Sequence, residues 1–266
     1  MTSKSLHYAT QRAFKSVFTG SKLPPLAVAA SGLFLFSPCA QCESLVDSAL
    51  RFFIGNDSNT PGFDLDKARP RPVGLEFKAT VLNFLPKEGR ISKFKETQLQ
   101  KLASLDAILQ LHQRQSLYER VVFESTPLPF AFIGLNHRVA LLISDAALDL
   151  LDVEELQASV AHEIGHEYVW AEYLEAEKRN DERRLRELEL ICDGIAILTL
   201  RRAGLNPARL LTAAQKITNY NRLSTGPAAN AYRYPSMGER NRFAQVIRAW
   251  ADSRLEPADK GRNFKY

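Results

Sequence analysis

The chain has 266 residues, 45% hydrophobic and 24% charged, an ordinary globular composition with room for one sizeable core and an extension. Its 35 basic and 30 acidic residues leave +5. Residues 1–40 hold Lys4, Arg12, Lys15 and Lys22 and no acid, so the rest of the chain balances at 31 − 30 = +1, and no nucleic-acid partner is expected.

The basic leader is followed by the apolar run from Leu26 to Phe36. That run is short for a membrane span and suits the h-region of a signal peptide, with cleavage sites at the small residues Ala40 and Cys42. Residues 1–40 therefore read as a leader for export, to a periplasm or to the outside. An acid-free segment rich in Arg, Lys and Ser also fits a mitochondrial transit peptide, and a retained run would anchor the chain to a membrane. Cys39 and Cys42 lie at the cleavage site and carry no redox or metal role, Cys192 falls in an apolar run, and no disulfide framework is indicated.

Residues 41–92 read as an irregular extension. Asn56–Gly62 and Arg69–Pro72 have turn and linker chemistry, and Leu75–Leu82 suits a strand or a short helix. From residue 93 the pattern is that of a folded domain running to 266. Leu99, Leu102, Leu105, Ile108, Leu109 and Leu111 repeat at helical spacing, with His112 expected at the surface. Arg120–Glu124 reads as a strand. Phe130–Gly134 and Arg138–Ser144 flank a tight turn at Leu135-Asn-His137, and a short helix follows from Asp145.

The next helix carries the chemistry. Asp152 with Glu155 three residues on is an N-cap signature, and Leu156, Val160 and Ile164 mark an apolar face. Within it stands H-E-I-G-H, His162 to His166. Two histidines four apart on a helix share one face and can bind one zinc ion from the same side. Glu163 lies beside that face, within reach of a water on the metal. This helix is expected to run on toward Arg179. Asn180-Asp181 then turns a charged helical hairpin, with Glu175/Arg179 and Glu182/Arg186 as favourable four-apart pairs.

Glu189 and Asp193, also four apart, stand in the apolar run that ends at Leu200. Two acids on such a helix need partners. One carboxylate can complete a His-His-carboxylate zinc site with a fourth position open, and the other can hold a ligand histidine by its second ring nitrogen. Gly204-Leu-Asn-Pro207 stops the helix. A helix from Pro207 to about Tyr220 follows. A last helix after Tyr234-Pro-Ser236 carries Phe243, Val246, Ile247 and Trp250.

These pieces together resemble the HtpX-type and CAAX-prenyl-protease-type zinc metallopeptidases of peptidase family M48, a gluzincin group. The similarity runs over roughly residues 95–250 and rests on four segments in order: the strand pair Phe130–Ser144, the approach Asp149–His166, Glu189-Leu-Ile-Cys-Asp193 and the turn Gly204–Pro207. Cys192 replaces an alanine of the family's pattern. The His166–Glu189 spacing is shorter than in better-known members, and the family's His-Pro-Ser before an arginine is here Tyr234-Pro-Ser236, with Arg240 in the arginine position. The resemblance implies an α+β, mainly helical zincin-like domain with a small antiparallel sheet beside the active-site helix. It implies one zinc ion on His162, His166 and Glu189, Glu163 as general base, and Asp193 orienting a ligand histidine. It also implies an extended polypeptide substrate laid on an edge strand of Arg138, Val139, Ala140, Leu141, Leu142 and Ile143, with Tyr232, Tyr234 and Arg240 as candidates for the oxyanion. A non-catalytic zinc scaffold of the same fold is the alternative.

Overall fold

A computed structural model describes residues 44–55, 62–115, 118–125, 130–225 and 233–254. The leader, with its apolar run, and Tyr232 lie outside them. The elements in order are α1 (Leu45–Ile54), α2 (Leu75–Phe84), α3 (Glu96–Leu111), β1 (Glu119–Phe123), β2 (Ile133–Asn136), β3 (Ala140–Ser144), α4 (Asp145–Leu150), α5 (Val153–Tyr168), α6 (Trp170–Arg179), α7 (Glu182–Arg202), α8 (Ala208–Thr225) and α9 (Met237–Arg254). The fold is α+β and mainly helical. No helix among the described residues is long and apolar enough to cross a membrane.

Apolar faces at helical spacing make the core. Leu105, Ile108 and Leu109 of α3, Leu156, Val160 and Ile164 of α5, Leu188, Ile191 and Ile195 of α7, and Phe243 and Ile247 of α9 are all fully buried. The expected cap starts α5: the Glu155 N–H donates to the Asp152 carboxylate at 2.9 Å, and the Asp152 N–H to Glu155 at 3.0 Å. Lys216 of α8 then donates to Glu155 at 2.7 Å, fixing the start of that helix from outside. The helix does not run through to Arg179. It breaks at Val169, whose backbone (φ −122°, ψ 21°) leaves the helical region, and α6 departs in a new direction. Asn180, left-handed, and Asp181, which accepts from the Arg184 N–H, turn the hairpin at the expected place.

The sheet has the order β1-β3-β2. β2 and β3 form the antiparallel hairpin, with Ile133 opposite Ile143 and Asn136 opposite Ala140. Its turn sits at His137 and Arg138, both with positive φ, and closes with a 2.9 Å bond from the Val139 N–H to the Asn136 carbonyl. β1 adds in parallel on the other side of β3, so the sheet is mixed. The expectation of a substrate edge at residues 138–143 therefore requires correction. Arg138 and Val139 belong to the turn and its exit, and Ala140, Leu141, Leu142 and Ile143 lie on the central strand, whose hydrogen-bonding edges are both taken. The outer edge on the side of α5 belongs to β2.

Residues 41–92 are also more than an irregular extension. The compact unit begins at Ser44. Phe53 of α1 is fully buried against the rings of Phe243 and Trp250, at 6.1 and 6.0 Å. It lies so close to Gly194 that a Cβ there would fall 2.4 Å from the Phe53 ring. Leu75–Phe84 is a helix, and Leu82 and Leu85 pack with Val121, Phe123 and Leu142 on the face of the sheet away from the main core.

Candidate metal centre

The centre is assembled from three helices. α5 presents His162, Glu163 and His166; α7 crosses it and presents Glu189 and Asp193; α9 delivers Arg240. The crossing is close because residue 165 is glycine. A Cβ there would stand 2.9 Å from the Cys192 Cα and 3.0 Å from its carbonyl oxygen. Since Gly165 precedes His166 and Cys192 precedes Asp193, the tightest point of the crossing lies beside the ligand set.

One ligand atom each from His162, His166 and Glu189 lie within 4.8 Å of one another. His162 Nε2 is 3.3 Å and His166 Nε2 3.7 Å from the Glu189 carboxylate. The Asp193 carboxylate takes the other nitrogen of His162, Nδ1, at 2.8 Å. That bond fixes the tautomer and turns Nε2 toward the cluster, the arrangement expected of a zinc-bound histidine. Of the two acids, geometry thus gives Glu189 the ligand position and Asp193 the supporting one.

The electrostatics suit a cation. Burial opposes charge on His162, but the hydrogen bonds with Asp193 and Glu189 outweigh it and push the imidazole up to about 10. Burial alone dominates at His166 and lowers it to about 4. Glu189, against its own burial, is held at about 2 by His162, His166 and Arg240. Two nitrogens and one carboxylate oxygen around a point that favours positive charge fit zinc, with a position left for water or substrate.

Glu163 is placed for a different task. Its carboxylate stays outside the three-ligand cluster and accepts from the Leu135 N–H of β2 at 3.0 Å. Burial pushes it up to about 7, against the pull of His162 and the Leu135 N–H. Arg240 reaches the site but is not free to grip an oxyanion. Its Nη1 donates to both oxygens of Asp193 at 2.5 and 2.7 Å, and Nη2 lies 3.5 Å from Glu189. The cap that places it is Ser236 with Glu239: the Glu239 N–H donates to Ser236 Oγ, and Ser236 N–H and Oγ–H both donate back to the Glu239 carboxylate. Tyr234 is half-exposed, and burial of its phenol, followed by the charges of Glu189 and Glu163, holds it above its usual range.

Tyr173 is a site residue that the sequence reading missed. Its hydroxyl donates to Glu189 at 3.4 Å, and its ring meets His166 edge-on at 4.9 Å. It lies on α6, beyond the break at Val169, so helical spacing from His166 gave no signal for it. His112 is corrected as well: it is buried, at 2% exposure. The Thr199 hydroxyl donates to the Ile195 carbonyl, so it accepts from His112 Nε2 at 2.9 Å, and the Tyr168 hydroxyl donates to Nδ1 at 2.8 Å. His112 thereby ties the end of α5 to α7 just past the metal ligands. Beside it Arg114 and Glu167 form a buried ion pair at 2.7 Å.

No curated protein matches the chain. Residues 94–169, from the start of α3 through the H-E-I-G-H helix, match the model described as Peptidase family M48. Over that stretch the chain is similar to the M48 peptidases.

Proposed function

We propose that the protein is a zinc-dependent endopeptidase of the HtpX or CAAX-protease type, with Glu163 as its general base. The observation that carries the reading is the position of Glu163. It is a half-buried carboxylate beside the three-ligand cluster but not part of it, and it is hydrogen-bonded to the strand along which a peptide would lie. A purely structural metal site has no use for such a group. Zinc on His162, His166 and Glu189 supplies Lewis-acid polarisation of a carbonyl and a lowered pKa for water. Glu163, raised toward neutrality, takes the proton from the attacking water and passes it to the leaving amine. Asp193 keeps His162 oriented, and Arg240 balances the two acids of α7. The substrate lies extended along the outer edge of β2, where the Leu135 N–H points away from β3. Tyr234, with Tyr232, is left to steady the oxyanion.

The test is metal content with peptide cleavage. The purified chain should carry close to one zinc, and His162→Ala, His166→Ala or Glu189→Ala should each lose most of it. Glu163→Gln should keep zinc and fold while losing ~10²–10⁴-fold in casein cleavage. Equal cleavage by both forms rules out Glu163 as the base. Full zinc with no cleavage by either form across a broad panel leaves the non-catalytic scaffold. We further propose export, with the leader removed near Gln41 or Glu43. Mass spectrometry of the protein from its own compartment tests this, and an intact Met1 in a soluble cytosolic form refutes it.

A further inference from the structure

Where β2 ends, a groove of about 310 Å³ opens between Val73, Gly74, Phe77, His137, Arg138 and Trp170. Three separated parts of the chain build it: the entry to α2 with its first turn, the β2–β3 turn, and the first residue of α6. The His137 ring stands between the other two, edge-on to Phe77 at 6.5 Å and to Trp170 at 6.4 Å.

The groove lies at the end of β2, the strand whose Leu135 N–H meets Glu163. His137, in the turn that closes β2, is two residues beyond Leu135, whose N–H reaches Glu163. Trp170 opens α6, immediately after the break that ends the helix of His166. A peptide extended along β2 with its scissile bond at Glu163 therefore brings a side chain two or three residues away over this groove.

Its lining decides what that side chain is. Val73, Phe77 and Trp170 are apolar, and burial lowers the pKa of His137. Phe77 keeps 37% of its surface exposed, so apolar area is available to be covered. No acid lines the groove. Its one charge, Arg138, is committed to Glu167 at 3.5 Å and to the Arg71 carbonyl at 2.5 Å, and it opposes a second cation. We propose that this groove is a specificity pocket that selects a bulky apolar side chain of the substrate, aromatic or long aliphatic, two or three residues from the scissile bond. The proposal rests on the endopeptidase reading. Val73, Gly74 and Phe77 lie outside residues 94–169, so the preference belongs to this chain's own N-terminal part.

Two variants test it. A side chain added at Gly74 meets no atom within 4 Å, and its φ of −65° suits any residue, so Gly74→Trp projects into open space on the groove wall. Phe77→Ala removes a wall instead. Zinc-loaded wild type and both variants are given peptides carrying Phe, Leu, Ser, Glu or Lys at each position in turn. The wild type should cleave the Phe and Leu peptides ~10–200-fold better than the Ser and Lys peptides at one position only. Both variants should lose that preference while keeping zinc and still cleaving the Ser peptide. An active wild type without the preference, or variants that retain it, overturns the pocket and leaves the endopeptidase standing. A wild type that cleaves nothing overturns the endopeptidase. The pocket is then judged by fluorescence anisotropy of the same labelled peptides: an apolar preference lost in the variants supports it, and equal or absent binding refutes it. If circular dichroism shows that Gly74→Trp has not folded, Phe77→Ala decides.

Discussion

Gly165→Ala should loosen the metal centre without touching a ligand. The new Cβ would lie 2.9, 3.0 and 3.1 Å from the Cα, carbonyl oxygen and Cβ of Cys192. Carbon atoms pack comfortably at about 3.5–4.0 Å, so α5 and α7 must part by roughly 0.5–1 Å. Overpacking of this kind costs about 1–3 kcal/mol, and a 2 kcal/mol loss lowers the melting temperature of a chain of this size by about 4–8 °C. The larger effect is on zinc, because metal–ligand distances tolerate only about 0.2 Å and the displacement falls between His166 and Asp193. Zinc affinity should drop roughly 10–100-fold, the range seen when the groups that orient ligands are disturbed. Competition with a chromophoric chelator measures the affinity, and thermal unfolding of the zinc-free protein measures the packing cost. Adding Cys192→Ala should not rescue the variant, since the first atoms met are backbone. Wild-type zinc affinity with an unchanged melting temperature would show that the helix crossing does not set the site.

Arg240→Met should leave Asp193 and Glu189 buried together without their shared guanidinium, destabilising the zinc-free protein by about 3–5 kcal/mol in urea unfolding. Zinc should restore part of that loss, and equal stability of variant and wild type without zinc would dismiss this role. His112 makes a pH prediction. Burial first, then the charges of Arg114 and Arg69, lower it from 6.5 to about 3, so the folded chain keeps it neutral where the unfolded chain binds a proton. Its contribution is therefore complete above pH 6.5 and lost as pH falls toward 3. Between pH 7 and 5 the zinc-free wild type should lose about 2 kcal/mol more than His112→Gln. Parallel losses in the two proteins would show that His112 is not the titrating group.

The centre was the most legible part of the sequence because its chemistry is written in local spacing. His162, His166, Glu189 and Asp193 each announce a helix face four residues at a time, and Asp152 with Glu155 announces the start of the helix. Strand order is not local. The stretch Val139 to Ile143 looks like an edge only if the hairpin is the whole sheet, and the parallel partner Glu119–Phe123 is set by packing, not by a turn. A signal was present nonetheless: the stretch is apolar without alternation, the pattern of a strand covered on both sides. His112 was read as surface because a histidine at the end of an apolar helix gives no hint of Tyr168 and Thr199, which lie 56 and 87 residues away. The break at Val169 likewise had no punctuating residue to announce it, since neither Gly nor Pro stands within three residues of it.

Phe53 has a consequence for biosynthesis. It belongs to the first described helix, yet besides its neighbours Phe52 and Phe63 it packs on Gly194, Phe243 and Trp250, far along the chain. Contacts so distant in sequence form late and slow a fold. A ribosome-bound chain that has already released H-E-I-G-H still lacks the support behind Asp193 and the whole of α9. The candidate metal centre is thus completed only once α9 has been made, and a chain that stops before α9 carries the motif without the assembled site.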